Sequence, residues 1–442
     1  MRLDLDYVRA QFPAFGEPAL RQVAFFESAG GSYPCRHVIW RLHRFYRERK
    51  VQPYMGYPVS DAGGEEMDQA RWRLAPMLGL DTEELAFGPS TTANVYVLAN
   101  AVRQWIAAGG APPAVVVTDQ DHEANSGPWR RLEADGIEVR EWRMDAAGHL
   151  DPGALEDLVR DEQVAVVAFP HASNVVGEVN DVASIARIAR RAGARTVVDG
   201  VSHAPHTLPH VRKLGCDAYL FSTYKTFGPH QGLMGLRREF AAALPAQGHH
   251  FNAGTLSKRH TPAGPDHAQV AACAGIADYV DALYDRHVIA GRDGAGRAEV
   301  TGRMMRDHEA RIAAPLLDWI ADRDGLRLLG PAQMVRRVPT FAIDCPEPAR
   351  VAAQLARRGV MAGAGDFYAH RALAALGVDP ARGVLRISMA HYNTADDVDR
   401  LLGALDEAFA DGGHHGGRHH GGHAPGRGGA PAGAAAGGRW GR

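Results

Sequence analysis

The sequence predicts an α/β protein with a large, doubly wound, mainly parallel sheet and a smaller C-terminal α/β domain. Two observations carry this. Between residues 65 and 240, helical periodicity alternates with short apolar runs, of which AVVVTD (114–119), VAVVAFP (164–170), RTVVDG (195–200) and DAYLFST (217–223) are the clearest strands. Runs that are apolar throughout, rather than at every second residue, need cover on both faces, which helices packed on a parallel sheet provide. After a helix-rich stretch at 268–325, a second set of such elements begins.

Each element has its own signal. DVASIARIARRAGA (181–194) is an amphipathic helix between two of the strands. In the second set, VRRVPTFAIDC (335–345) and GVLRISMAHY (383–392) read as strands, and ARVAAQLARRG (349–359) and TADDVDRLLGALDEAFA (394–410) as helices. From Gly412 the composition collapses to Gly, Ala, Arg, Pro and His, with Trp440 the one large apolar residue, so a disordered tail is expected at 412–442. Its five histidines can bind a divalent metal weakly or simply be solvated.

Composition narrows the function. A formal net charge of −2 gives no broad basic face for nucleic acid, and no apolar run approaches the roughly 18 residues of a membrane span. The N-terminus MRLDLDYVRAQF lacks the apolar core of a signal peptide, so a cytoplasmic location is expected. Cys35, Cys216, Cys273 and Cys345 are far apart and match no metal-ligand spacing; they read as small buried residues, with no metal site.

The chain has only four lysines against 45 arginines, so a retained lysine invites a chemical question. Lys225 follows a predicted strand in FSTYKTFGPHQG, without charged neighbours in sequence, where partial desolvation would free its amine to attack an aldehyde. Asp199 ends the strand TVVD, a position suited to holding a proton on a pyridine nitrogen or to capping a helix. In FGPSTTANVY (87–96), Thr91 and Thr92 open a helix whose amides suit a phosphate dianion, and Ser222 offers another hydroxyl; N-capping alone also explains the threonines. His122 can stack on a ring or face solvent, and Asn174 can bond a phenolic oxygen or serve the turn before Gly177. Arg386, inside an apolar strand, needs a carboxylate from a substrate or from the chain itself. Together these residues describe a pyridoxal-5′-phosphate (PLP) site.

Eight motifs in order, AGGS (29–32), GPSTTAN, DHEANSGPW, HASNVVGEVND, VVDGVSHAPH, GCDAYLFSTYKTFGPH, FNAGT (251–255) and LRISMAHYNT, make residues 5–410 resemble class V aminotransferases of the cysteine desulfurase-like branch, which are fold-type I PLP enzymes. The resemblance implies a sheet of the seven-stranded type and Lys225 as the Schiff-base lysine. It implies Asp199 on the pyridine nitrogen, His122 on the ring, Asn174 on its oxygen, and Thr91, Thr92 and Ser222 on the phosphate. Ser202 and Tyr224 fall at ring-contacting positions, where this family often has Gln and His. Thr255 matches a phosphate ligand supplied by the second protomer, which implies a homodimer. Arg386 matches the substrate-carboxylate arginine, with Gly30 and Tyr33 beside the substrate. The implied organisation is an N-terminal segment on the small domain (1–24), a large PLP-binding domain (25–285) and a small domain (286–411). The stretch VMAGAGDFYAH (360–370), which corresponds to the desulfurase loop, has no cysteine.

The expected activity is PLP chemistry on an α-amino acid with Lys225, Asp199 and His122 in catalytic roles. β-Elimination at a C–S or C–Se bond of cysteine or a cysteine S-conjugate leads, with transamination and decarboxylation as alternatives. Tyr33, Phe367, Tyr368, His230 and His260 are candidates for reading the side chain. A dinucleotide-binding oxidoreductase lacks its GxGxxG and has no use for Lys225. A catalytically silent binding module remains the reading of another class.

Overall fold

The computed structural model describes residues 2–410, so the tail expected at 412–442 lies outside the described residues. Seven strands form the large sheet: β1 (Leu85–Gly88), β2 (Ala114–Thr118), β3 (Glu138–Trp142), β4 (Val164–Pro170), β5 (Arg195–Asp199), β6 (Ala218–Ser222) and β7 (Gly232–Leu236). Their spatial order is β1-β7-β6-β5-β4-β2-β3, with β7 antiparallel to both neighbours and the rest of the core parallel.

The all-apolar runs explain the layers. Along β2, Val115 and Val117 enter one core, whereas Ala114 and Val116 enter the other. Each valine is fully buried, a contribution of about 1.5–3 kcal/mol. The helix expected at 181–194 runs Val182–Arg191, capped by the Asp181 side chain, with Val182, Ile185, Ala186, Ile188 and Ala189 buried. Gly193, at φ +75°, turns the chain just beyond its end.

A four-stranded antiparallel sheet follows, ordered Gly363–Gly365, Val384–Ser388, Thr340–Asp344, Arg327–Leu328. The strand expected at 335–345 begins only at Thr340, because Met334–Arg336 form a 3-10 turn and Pro339 has no N–H to offer. The helix Ala395–Ala410 starts on a reciprocal cap between Thr394 and Asp397. The N-terminal segment joins this part through the parallel pairing of Ala24–Phe25 with Val360–Met361 and through the Arg9–Asp397 ion pair (3.0 Å). It also reaches helix Ala274–His287, where His287 Nε2 accepts from Asp4 N (2.8 Å). Among the described residues no helix is long and apolar enough to cross a membrane, and no His, Cys, Asp and Glu side chains cluster as metal ligands.

Candidate active site

The carboxyl edge of the parallel strands, where such sheets bind ligands, collects the predicted residues through register alone. Pro170, Asp199 and Leu220 stand side by side across β4, β5 and β6. At the end of β6, Ser222 pairs with Gly232, which in turn pairs with Gly88 of β1. That ladder sets the start of helix Thr91–Ala107 against Ser222, and the Thr91 and Ser222 hydroxyls share a hydrogen bond of 2.8 Å. Gly232 is required there: a Cβ would lie 2.8 Å from Thr91 N and 2.5 Å from the Ser90 carbonyl carbon. Ser90 caps the helix by accepting from Ala93 N, which leaves the amides of Thr91 and Thr92 for an anion.

Lys225 lies one 3-10 turn beyond β6. The AGGS run fastens this turn: Ser32 N donates to Tyr224 O (3.0 Å) and Ser32 Oγ accepts from Phe227 N (2.9 Å). Lys225 is 8% exposed, and among the described residues no hydrogen bond or ion pair engages its amine. Burial and the Arg386 charge push its pKa down to about 8, with Asp199 and Glu27 pulling back. The sequence shows no charge beside this lysine; the fold supplies three from distant segments.

Asp199 is buried, and its Oδ1 accepts from Val201 N (2.9 Å). Burial raises its pKa, opposed by that bond and by Lys225. His122 caps helix Glu123–Arg130, with Nδ1 accepting from Ala124 N (2.9 Å), which places the imidazole proton on Nε2. Burial, reinforced by Lys225 and Arg386, pushes its pKa down to about 3, so the ring is neutral. Asn174 donates to Phe367 O (2.8 Å), and its Oδ1 is buried without a partner.

These residues line two connected cavities. The inner one, about 50 Å³, is bounded by Thr91, Thr92, His122, Asn174, Asp199, Ser202, Ser222, Tyr224 and Lys225. It shares Thr92, His122, Asn174, Tyr224 and Lys225 with an outer cavity of about 550 Å³, whose walls add Glu27, Gly30, Tyr96, Arg131, Phe367, Tyr368 and Arg386. The donor set fits PLP: an unengaged amine, a buried carboxylate, a neutral imidazole, an orphaned amide oxygen and a helix start with free amides.

Three expected side-chain readers are not on these walls. Tyr33 packs into an aromatic cluster with Phe25 (4.7 Å between centroids) and Phe15 (5.5 Å). His260 is buried, with Nε2 against Ala241 O (3.0 Å), and His230 stacks on Tyr224 (4.9 Å) without lining either cavity. Thr255 sits in an exposed turn of this chain, outside both cavities. Sequence reasoning missed Glu27, which precedes the AGGS run by two residues but reads there as an ordinary surface acid. It also missed Tyr96 and Arg131, which face the cavity only because their helices pack as they do.

The chain is similar to several known proteins. The chain is 28% identical over 416 residues to an aminotransferase-like protein, FGM3, of Gibberella zeae, covering 91% of this chain and 98% of that protein. It is 27% identical over 425 residues to a cysteine desulfurase of Yersinia pestis, covering 92% and 98%. In fold it resembles the Escherichia coli cysteine desulfurase CsdA (TM-score 0.77, 24% identity, 93% and 99% covered). It likewise resembles the cysteine desulfurase of Thermococcus onnurineus NA1 (TM-score 0.79, 22% identity, 93% and 99% covered). The profile of the family "Aminotransferase class-V", whose members depend on PLP, matches residues 24–254 and 298–401, the stretches that build both sheets and both cavities, and the chain belongs to that family of PLP enzymes.

Proposed function

We propose that the protein is a PLP-dependent lyase that breaks the Cβ–S or Cβ–Se bond of cysteine, selenocysteine or a cysteine S-conjugate by β-elimination. With one water consumed, the S-conjugate would give the thiol, pyruvate and ammonium. One observation carries the choice: a cleft equipped for amino-acid chemistry has no cysteine among its lining residues. All four cysteines are buried elsewhere, where burial pushes the thiols of Cys35, Cys216 and Cys273 up to about 12 and that of Cys345 to about 11. Without a thiolate to accept sulfur from the substrate, release of the intact thiol is the route this cleft supports.

PLP, when bound, supplies an electrophilic carbon for amines and a ring that takes up the electron pair freed at the substrate Cα. The chain's residues divide the remaining work. Lys225 would hold PLP through its amine and would serve as the base that takes the substrate Cα proton. Asp199 would keep a proton on the pyridine nitrogen. Neutral His122, Asn174, Ser202 and Tyr224 line the same inner cavity and would hold the ring. Thr91, Thr92, Ser222 and the helix amides would hold the phosphate. Arg386 takes the substrate carboxylate in the outer cavity, beside Gly30.

A second copy of the chain completes the site through Thr255 in this reading. Support comes from the surface around that turn, where Phe251 (70% exposed) and Tyr54 (50%) line a groove of about 310 Å³. Mixing inactive Lys225→Ala and Thr255→Ala chains would then form hybrid dimers with one intact site of two, and recovered activity reads that out. The activity itself is tested by incubating the PLP-loaded protein with cysteine and S-benzylcysteine and assaying thiol and pyruvate. Both products are expected; their absence alongside amino-group exchange with a keto acid would turn the assignment to transamination.

A further inference from the structure

The outer cavity contains a carboxylate that the proposed reaction does not use. Glu27 follows the strand Ala24–Phe25, bridged to Ser388, and its Oε1 accepts a hydrogen bond from Arg386 Nη2. Two glycines make room for it: a Cβ on Gly30 would lie 2.8 Å from Oε1, and one on Gly363 2.9 Å from Oε2. Oε2 is buried and has no partner.

Arg386 is only 3% exposed. Its Cζ lies 3.8 Å from the Phe367 ring centroid, Nη1 reaches Asn174 O at a long 3.4 Å, and Nε is buried without a partner. Among the described residues its one anionic partner therefore comes from the chain itself. A carboxylate binds a guanidinium best through two parallel N–H bonds, and here Glu27 already holds Nη2. Two carboxylates on one buried guanidinium repel each other in a low-dielectric site.

We propose that Glu27 is a specificity-determining placeholder, which occupies the carboxylate edge of Arg386 in the resting site and competes with the carboxylate of an incoming amino acid. The proposal rests on the reading of Arg386 as the substrate-carboxylate residue. Its consequence is a substrate class. An amino acid gripped mainly by its carboxylate gains little, so the favoured substrate carries a larger side chain that finds binding energy in the outer cavity. Cysteine S-conjugates with bulky, apolar S-substituents meet that condition. The cavity wall that would receive them is aromatic, with Tyr96, Phe367 and Tyr368. Phe367 (φ +51°) and Tyr368 (φ +57°) are consecutive non-glycine residues in the left-handed region, a costly conformation found where a site needs it. Bonds from Asn174 Nδ2 to Phe367 O and from Glu123 N to Tyr368 O, both 2.8 Å, hold them there.

The test titrates propionate, a carboxylate without an amine, into the PLP-loaded wild type and its Glu27→Gln, Glu27→Asp and Arg386→Gln variants by calorimetry. Glu27→Gln is expected to bind propionate about tenfold tighter, the equivalent of about 1.4 kcal/mol. Glu27→Asp, whose shorter side chain retreats from the guanidinium, should fall between it and wild type. The KM advantage of S-benzylcysteine over cysteine should shrink in Glu27→Gln. A substitution that merely damaged the site would weaken binding, so the sign separates the two effects. Propionate binding that is unchanged or weaker in Glu27→Gln, while Arg386→Gln weakens it, overturns the placeholder alone. Binding that ignores Arg386→Gln overturns the reading of Arg386, and the placeholder falls with it.

Discussion

The inner and outer halves of the cleft are built by different means. The inner half is a strand-edge structure: Asp199 and Ser222 end strands of one sheet, and Thr91, His122, Asn174 and Lys225 each lie a few residues beyond the end of such a strand. Sheet register brings them together. The outer half is assembled from remote segments: Glu27 near the N-terminus, Tyr96 and Arg131 on helical surfaces, and Phe367, Tyr368 and Arg386 from the small sheet and its loops. On the proposed function, the difference is a division of labour, with chemistry on the strand edge and choice of substrate on the composite wall.

Paired substitutions sharpen that contrast. Lys225→Ala should reduce turnover by at least about 10⁴-fold, since attachment and proton abstraction are lost together. PLP should then no longer be fixed to the protein by borohydride, as mass spectrometry reads directly. Tyr368→Ala on the outer wall should keep the fixation and change kcat/KM by about tenfold, differently for different S-substituents. Equal loss from both changes would break the division. Asp199→Asn should come next in size, with kcat lower by about 10²-fold as the pyridine proton loses its countercharge.

The same contrast explains what the sequence made legible. Strand ends carry their own signals, an apolar run that stops and a Gly, Pro or hydroxyl residue that follows, so Asp199, Ser222 and Lys225 could be picked out before any fold was drawn. Arg386 could be recognised as a buried arginine in need of a carboxylate, but not that Glu27, 359 positions away, supplies one. Tyr33 was misplaced for a related reason: its neighbours in sequence reach the cleft, while its ring turns into a cluster formed by Phe15 and Phe25. The short strand at Thr340 shows the same limit, since its start is set by Pro339 and a 3-10 turn rather than by hydrophobicity.

Electrostatics joins the two halves, because Arg386 in the outer cavity helps to depress Lys225 in the inner one. An amine attacks an aldehyde only when unprotonated. The rate of PLP capture by the apoprotein should therefore rise with pH through a midpoint near 8, well below the ordinary lysine value of 10.5. Stopped-flow absorbance measures this, and Arg386→Gln should move the midpoint upward. A midpoint that stays put would mean that burial alone sets it and that the halves are electrostatically independent.

The smallest effect is on stability. The folded-state pKa of Lys225 lies below its unfolded value, so between about pH 8 and 10.5 the unfolded chain binds more protons than the folded one. Below about pH 8 the buried amine must be charged in the apoprotein, at a cost of about 3 kcal/mol relative to a lysine in water. That cost fades as pH rises through the window. Apo Lys225→Met, which carries an uncharged side chain of similar length, should be more stable than the apo wild type at pH 7, and the advantage should narrow towards pH 10. Denaturant melts of the two proteins across that range isolate this one group, because every other titrating residue is common to both. A stability difference independent of pH would show that the amine keeps an ordinary pKa in the fold, and the capture midpoint near 8 would then need another cause.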